Sequence, residues 1–115
     1  MPKSHLVRLP VEYRKIFRCG EKKTFAMFNI YTHRKENGPT RLGLVVSRKV
    51  GGAFLRNKYK RVIREFFRLN YLNFPLHTDI IVILKPCIAR YDIYQFRAEL
   101  HNMLGLFKDA EKDSC

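Results

Sequence analysis

The spacing of apolar residues predicts a helix and two strands in the first half of the chain. From residue 9 to residue 18 apolar positions recur every three or four residues, as they do on one side of a helix. Residues 24–31 alternate between a core-facing side and a partly open side that carries Asn29 and Tyr31. Residues 42–46 form an apolar, β-branched run typical of a buried strand. The simplest arrangement of these two strands is an antiparallel hairpin.

The second half of the chain predicts a long helix, a strand and a last helix. The long helix spans residues 53–69, and the run at residues 79–84 is typical of a strand covered on both faces. The last helix begins near Asp92, with Gln95 placed to complete a capping box. The apolar side of the long helix comprises Leu55, Tyr59, Val62, Phe66 and Leu69, and that of the last helix comprises Ile93, Phe96, Leu100, Met103, Leu104 and Phe107. The order helix, strand, strand, helix, strand, helix predicts one α+β domain, 1–115, with a small sheet.

The outward side of the helix at residues 53–69 is almost entirely basic. Arg56, Lys60 and Arg64 are four apart and therefore form a column. Like charges at this spacing repel by a few tenths of a kcal/mol per pair, a cost that a bound polyanion would remove. A solvated helix face is the simpler interpretation of an isolated basic run. Here the near absence of acids favours a phosphate-binding surface. The flanking polar residues are Asn57, Lys58, Arg61 and Arg68.

Charge is distributed unevenly between the two parts of the chain. The formal net charge is +13, yet residues 1–64 hold 17 Lys and Arg against three acids, and residues 65–115 hold six against seven. Such asymmetry is typical of proteins that bind nucleic acid or an anionic membrane. No apolar run approaches the ~20 residues of a membrane span, so the membrane is the weaker alternative. Residues 1–8 and 109–115 are predicted to be a basic arm and a frayed tail.

Little in the sequence indicates a catalytic or metal site in the protein itself. The histidines (His5, His33, His77 and His101) are scattered, with no acid or second histidine at ligand spacing. The cysteines (Cys19, Cys87 and Cys115) are odd in number and far apart, which argues against a disulfide framework and fits a reducing cytoplasm. The acids are too few and too dispersed for a two-metal nuclease site. We therefore expect no metal bound by the protein and no small-molecule substrate.

The stretch from Arg41 to Leu69, RLGLVVSRKVGGAFLRNKYKRVIREFFRL, resembles the signature of the bacterial ribonuclease P protein subunit. The similarity extends over roughly residues 6–107. Two positions depart from the family pattern: Gly52 stands where asparagine is usual, and Lys58 replaces the second arginine of an Arg-Asn-Arg triplet. Lysine offers a point charge where arginine offers a planar, two-pronged donor.

The resemblance implies a fold and a function. The fold is a mixed sheet with three helices, similar to the second domain of ribosomal protein S5, with a left-handed β-α-β crossover around the basic helix. Crossovers of this kind are otherwise right-handed. The function is that of a protein that joins a catalytic RNA, which itself removes the 5′ leader of precursor tRNA. Magnesium is expected in the complete RNA–protein enzyme, and both RNAs are the expected partners.

The resemblance also assigns site residues. Residues of the basic helix and of the turn before it would contact the catalytic RNA: Arg48, Lys49, Arg56, Asn57, Lys58, Lys60, Arg61, Arg64 and Arg68. A cleft between the first helix and the sheet would hold the single-stranded leader through Tyr13, Arg14, Phe17, Asn29 and Tyr31. Periodicity alone leaves Tyr13 and Phe17 open between core packing and exposed stacking platforms. With the resemblance added, we favour stacking.

Two other function classes compete with this interpretation. A stand-alone nucleic-acid-binding module fits the composition equally well, and only the motif at residues 51–65 separates it from the subunit. A helix lying on anionic membranes would need apolar residues beside the charges on an exposed face. Here the apolar side of the helix is needed for the core.

Overall fold

Three helices and four strands form the domain. The computed structural model describes the backbone of residues 3–113 and the side chains of residues 4–107. The elements are α1 Pro10–Cys19, β1 Glu21–Thr24, β2 Phe28–Arg34, β3 Arg41–Val45, α2 Ala53–Leu69, β4 Thr78–Leu84 and α3 Ile93–Asp113. Short 3₁₀ turns lie at Lys3–His5, Arg48–Val50, Tyr71–Asn73 and Pro86–Arg90. The predicted α+β class is confirmed.

The sheet has the order β1-β2-β4-β3, which overturns the predicted hairpin between β2 and β3. β4 lies between them, antiparallel to β2 and parallel to β3. Almost every residue of β4 is buried, as predicted for a strand covered on both faces. A strand this apolar is stabilised best in the centre of the sheet, with neighbours on both edges and a layer on each face. The parallel β3–α2–β4 unit follows from this order.

The strand predicted at residues 24–31 corresponds to β2 (Phe28–Arg34), which begins four residues later, and a further strand precedes it. β1 (Glu21–Thr24) is a polar edge strand with the sequence EKKT, and it pairs antiparallel with β2. Sequence alternation missed β1 because an edge strand needs no apolar face, and lysines at an edge discourage pairing with other chains. The faces of β2 are as predicted: Phe28 and Ile30 are fully buried, and Asn29 and Tyr31 are half-buried.

Two apolar layers flank the sheet. The main core lies between one sheet face and the helices α2 and α3. All six residues predicted for the α3 stripe pack into it, and only Ile93 is partly exposed. The capping box is also confirmed, since Asp92 Oδ1 accepts from the Gln95 amide at 2.8 Å and Gln95 Oε1 accepts from the Asp92 amide at 2.9 Å. A smaller cluster (Val7, Ile16 and Ile81) joins α1 to the opposite face.

The buried side of α2 is rotated from the predicted one. Tyr59 and Phe66 are buried as expected, but Leu69 is 65% exposed and the prediction for it was wrong. Ile63 and Phe67 are buried in its place, at 2% and 1% exposure. The helix touches both the sheet and α3. Its buried surface is therefore wider than the single row of apolar residues, at steps of three and four, that the sequence predicts.

Parts of the predicted arm and tail are packed or helical. Val7 is buried, and its amide donates to the Leu42 carbonyl at 2.9 Å. The His5 ring stacks on Tyr71 with centroids 4.7 Å apart. The backbone of α3 continues through residue 113 of the predicted tail. Met1, Pro2, Ser114 and Cys115 lie outside the described residues.

An ion-pair network ties α1 to the sheet. Arg41 on β3 donates Nε and Nη2 to the two carboxylate oxygens of Asp79 on β4, at 2.8 and 2.9 Å. Lys35 Nζ lies 2.9 Å from Asp79 Oδ1, and Arg41 Nη1 also donates to Glu12 on α1. Asp79 is only 2% exposed. Burial alone would raise the pKa of Asp79, but hydrogen bonds from Arg41 and Lys35 hold it below its usual value.

Replacing Asp79 with Asn should lower the free energy of unfolding by about 2–4 kcal/mol, because two cations then lose their buried anion. The folded pKa of Asp79 is lowered, so its stabilising contribution is complete above the unfolded pKa, near 3.8, and is lost as pH falls through the folded pKa. Urea unfolding of the wild type and D79N at neutral pH and at decreasing acid pH measures both effects.

A matched control is Glu65→Gln, which removes an acid from an exposed pair with Arg68, the two side chains being 56% and 54% exposed. Its effect on stability should stay within about 0.5 kcal/mol. Equal stability losses in D79N and E65Q would contradict a special role for the buried network.

Candidate nucleic-acid interface

The basic helix α2 begins directly after a glycine turn. Gly51 has φ 154°, and a Cβ there would lie 2.7 Å from the Leu55 Cδ2 atom. Position 51 therefore requires glycine. Gly52 caps the helix without a side-chain hydrogen bond, and the first turn of α2 contains no acid. The start of α2 thus has free amide donors and nothing to repel an anion.

The predicted RNA-contact residues lie together along α2 and the turn before it. Arg48, Lys49, Asn57, Lys58, Arg61 and Arg64 are exposed, and Arg56 and Lys60 are half-buried. Arg56 Nε is buried and has no hydrogen-bond partner among the described residues. Arg68 differs from the others because Nη2 contacts Glu65 Oε1 at 2.6 Å. We call this set of residues, together with Arg68, the basic helix face.

Arg64 connects two depressions on either side of α2. An open hollow of about 450 Å³ is lined by Asn57, Arg61, Arg64, Glu65 and Arg68. A second, of about 310 Å³, lies at the β3 edge of the sheet, and Lys60 and Arg64 form its α2 side. Its other walls include Arg8, Tyr13 and Leu44. The basic helix face is therefore continuous with the side of the protein that carries α1.

Tyr13 is fixed at this junction by its hydroxyl group. The hydroxyl donates to the Val7 carbonyl and accepts from the Leu44 amide, both at 3.2 Å. The ring lies directly over Gly43, where an added Cβ would come within 3.0 Å of it. Glycine at position 43 therefore permits the close approach of α1 to β3. The Tyr13 ring is half-buried, with its orientation set by both contacts.

An aromatic groove lies beside α1 on the open part of the sheet. Phe17 packs edge-on against Tyr31 with centroids 4.9 Å apart, and the Tyr13 and Phe17 centroids are 6.3 Å apart. Phe17 is 37% exposed, so it is not simply a core residue. Val45 and Ile83 pack into the same cluster of residues on this face. We call the surface formed by Tyr13, Phe17, Asn29, Tyr31, Val45 and Ile83 the α1 groove.

Asn29 lies two residues before Tyr31 on the same face of β2, opposite Thr24 and Ile83 in the neighbouring strands. Its amide oxygen is buried and has no hydrogen-bond partner among the described residues. Arg14 on α1 is exposed.

Apart from Arg14, the structure thus brings the predicted site residues together in two adjoining surfaces. Sequence reasoning missed Gly43, Val45 and Ile83. The alternation of β3 and β4 could have placed Val45 and Ile83 on one face, but only the observed strand order places that face under α1. Arg8 was also missed, since its position beside Lys60 and Arg64 depends on how the first residues fold back.

Within residues 4–107, no three His, Cys, Asp or Glu side chains are placed to hold a metal ion. His77 contacts the Gly38 carbonyl, and His101 packs edge-on against Phe66. Cys19 and Cys87 are free thiols. None of the helices in the described part of the chain is long and apolar enough to cross a membrane.

A basic helix joined to an aromatic groove defines a small α+β protein of the nucleic-acid-binding class. Residues 1–108 match the model of the family described as Ribonuclease P. The ribonuclease P protein component of Desulfotalea psychrophila is 35% identical over 91% of this chain and 88% of its own length. That of Staphylococcus aureus is 34% identical over 94% of both chains. The chain belongs to the ribonuclease P protein family.

Solved structures support the same assignment. The Staphylococcus aureus RNase P protein superposes with a TM-score of 0.84 at 31% identity, covering 90% of this chain and 95% of the other. The Thermotoga maritima RNase P protein gives a TM-score of 0.78 at 35% identity, with 86% and 94% covered. A further Staphylococcus aureus structure, with a TM-score of 0.84 and 32% identity over 92% and 90% of the two chains, is of a mutant described as defective in mRNA degradation activity. Membership of the family implies tRNA processing and an RNA partner.

Proposed function

We propose that this protein is the subunit of ribonuclease P that binds the catalytic RNA through the basic helix face and the single-stranded leader of precursor tRNA through the α1 groove. Cleavage of the 5′ leader belongs to the RNA, and magnesium acts in the complete RNA–protein enzyme. The protein contributes binding and positioning in the cytoplasm.

The observation that carries this proposal is the junction at the β3 edge. Lys60 and Arg64 of the basic helix face share one depression with Tyr13 of the α1 groove. Two RNA segments bound to these surfaces would lie next to each other. Such proximity is what a subunit needs if it is to bring a substrate strand to a catalytic RNA.

The basic helix face suits the backbone of a folded RNA. Its cations, apart from Arg68, make no ion pair within the described residues. Binding to phosphates would remove their mutual repulsion and release condensed counterions. Lys58 would contribute a point charge at a position where arginine gives a bidentate contact. We place Arg48 and Lys49 at the same contact because they lie just before α2.

The α1 groove suits a single strand of variable sequence. Aromatic rings stack on any base, at ~1–3 kcal/mol per base. Phe17 and Tyr31 are partly exposed here, and the half-buried Asn29 lies beside Tyr31 on the same face of β2. Arg14, exposed on α1, would contact the phosphates that accompany those bases.

Replacing both Arg61 and Arg64 with Ala should reduce the salt dependence of binding to the catalytic RNA. Each phosphate contact contributes about 0.7–0.9 to the slope of log K against log salt, so the double variant should lose about 1.4–1.8. The measurement is a series of binding curves at increasing salt, with thermal unfolding in parallel. Both residues are exposed, so the unfolding midpoint should hardly change.

The matched control is Arg90 and Arg97 to Ala, which removes the same charge from two exposed arginines outside α2. Its slope should remain close to that of the wild type. A double variant at positions 61 and 64 with an unaltered slope would refute the docking assignment.

Replacing Phe17 with Ala should weaken binding of precursor tRNA by the assembled enzyme while mature tRNA, which has no leader, binds as before. The expected loss is about 5- to 140-fold, from ~1–3 kcal/mol of stacking. Because truncating Phe17 also costs up to about 3 kcal/mol of folding free energy, the unfolding curve is measured alongside.

Tyr94→Ala serves as the control, since Tyr94 is an exposed aromatic on α3, at 75%, away from the α1 groove. It should bind both tRNAs like the wild type. An equal loss of precursor and mature tRNA binding in F17A would mean general damage and would exclude the leader assignment.

The purified protein alone should leave precursor tRNA intact at any magnesium concentration. Added to the catalytic RNA, it should permit cleavage at lower salt and magnesium, because a polycation screens the repulsion between two RNAs. Since a related protein is described in connection with mRNA degradation, an unstructured mRNA fragment belongs in the same assay. Specific 5′ processing that persists in RNA-free protein through repeated purification would overturn the division of roles.

A further inference from the structure

Phe54 is the most exposed aromatic side chain among residues 4–107. It is the second residue of α2 and is 87% exposed. Leaving a phenylalanine ring in water forgoes about 1.5–3 kcal/mol that burial would provide. It has no aromatic or cation–π partner among the described residues. Folding therefore gives no account of a large aromatic residue at this position.

Helix geometry places Phe54 on the basic helix face. With 3.6 residues per turn, the positions nearest to the direction of residue 54 are Lys58, Arg61, Glu65 and Arg68. Arg61, Glu65 and Arg68 also line the hollow of about 450 Å³ on the outer side of α2. The ring thus stands at the N-terminal end of a row of polar residues in which the one acid is already paired with Arg68.

The row formed by Phe54 and the polar residues beside it fits a nucleotide better than it fits a protein partner. An apolar pocket of a protein partner would have to desolvate the neighbouring cations, which is costly without paired acids. A nucleotide presents a phosphate to the cations and an aromatic face to the ring. In a paired A-form helix the base faces are hidden by stacking, and only an unpaired nucleotide can expose one.

We propose that Phe54 stacks on an unpaired base of the RNA that binds α2. This inference rests on the proposed function, because that RNA is the catalytic RNA. The contact at the start of α2 is then with a bulge, loop or strand end, while the cations farther along the helix bind phosphates. Phe54 fixes the position of the helix on the RNA, and the cations supply the salt-dependent affinity.

Two substitutions separate stacking from mere apolar contact. Phe54→Leu keeps the apolar bulk and the helix propensity but lacks an aromatic face, whereas Phe54→Tyr keeps the face. F54L should bind the catalytic RNA about 5- to 140-fold more weakly, from ~1–3 kcal/mol per stacked base. Its salt slope should equal that of the wild type, because no phosphate contact is lost. F54Y should bind like the wild type.

The control is Leu72→Ala, which removes the most exposed of the large apolar side chains, at 95%, beyond the end of α2. It should bind the RNA like the wild type, and all three variants should unfold at the wild-type midpoint. Acylation of RNA 2′-hydroxyls gives a direct readout. One nucleotide should be immobilised by the wild type and F54Y but should stay mobile with F54L.

The results distinguish a failure of the stacking assignment from a failure of the proposed function. Wild-type affinity in F54L, or an equal loss in F54L and F54Y, overturns the stacking assignment. If F54L binds normally while the double variant at Arg61 and Arg64 loses salt dependence, only the stacking assignment fails. If neither set of variants changes binding, α2 is not the surface that contacts the catalytic RNA, and the proposed function fails with it.

Discussion

The burial of β4 on both faces is the constraint on which the rest of the structure depends. A strand with the sequence TDIIVIL has to be covered above and below, so helices are required on each side of the sheet. Helices α2 and α3 pack on one face. The other face is covered by α1, a helix of 10 residues, and by the segment that contains Val7. A helix of this size is about 15 Å long and about 10 Å wide, whereas β2, with seven residues, is about 23 Å long and its neighbouring strands add further width, so part of this face stays open as the α1 groove.

Two groups of cations in the protein have different surroundings. Lys35 and Arg41 are bound to the buried Asp79 and hold α1, β3 and β4 together. Among the described residues, Arg68 alone of the cations of the basic helix face forms an ion pair with an acid. Neutralising a cation of the first group costs folding free energy. Neutralising one of the second group relieves repulsion, and under the proposed function its cost falls on RNA binding.

Local patterns in the sequence were sufficient to predict the elements in which apolar residues recur with a regular period. α1, α2, α3 and the two apolar strands were placed to within a few residues, and the Asp92–Gln95 capping box was correct. β1 escaped prediction because EKKT has no apolar alternation. The pairing of β2 with β3 was wrong because strand order depends on competition for the central position, which no local pattern encodes. The exposure of Leu69 likewise depends on the direction from which α3 approaches.

The same limit applies to the candidate site. The part of the basic helix face that lies on α2 is local, so helix periodicity was enough to list its members, whereas Arg48 and Lys49 were named through the resemblance to a family. The α1 groove combines residues from α1, β2, β3 and β4, and its aromatic members were named only through the resemblance to a family. Phe54 was not singled out at all. Its significance comes from its exposure, and exposure is a property of the folded protein rather than of the sequence around it.

Tyr13 has a second consequence, for self-association. β3 is an edge strand, and an exposed edge is a template for pairing with another chain. Here the Leu44 amide is occupied by the Tyr13 hydroxyl, and the Leu42 carbonyl is occupied by the Val7 amide. One tyrosine therefore contributes its ring to the α1 groove and its hydroxyl to closing the edge of the sheet. Under the proposed function, replacing Tyr13 would change the α1 groove and would also free the Leu44 amide for pairing with a second copy of the protein, so the groove cannot diversify at Tyr13 without a risk of aggregation.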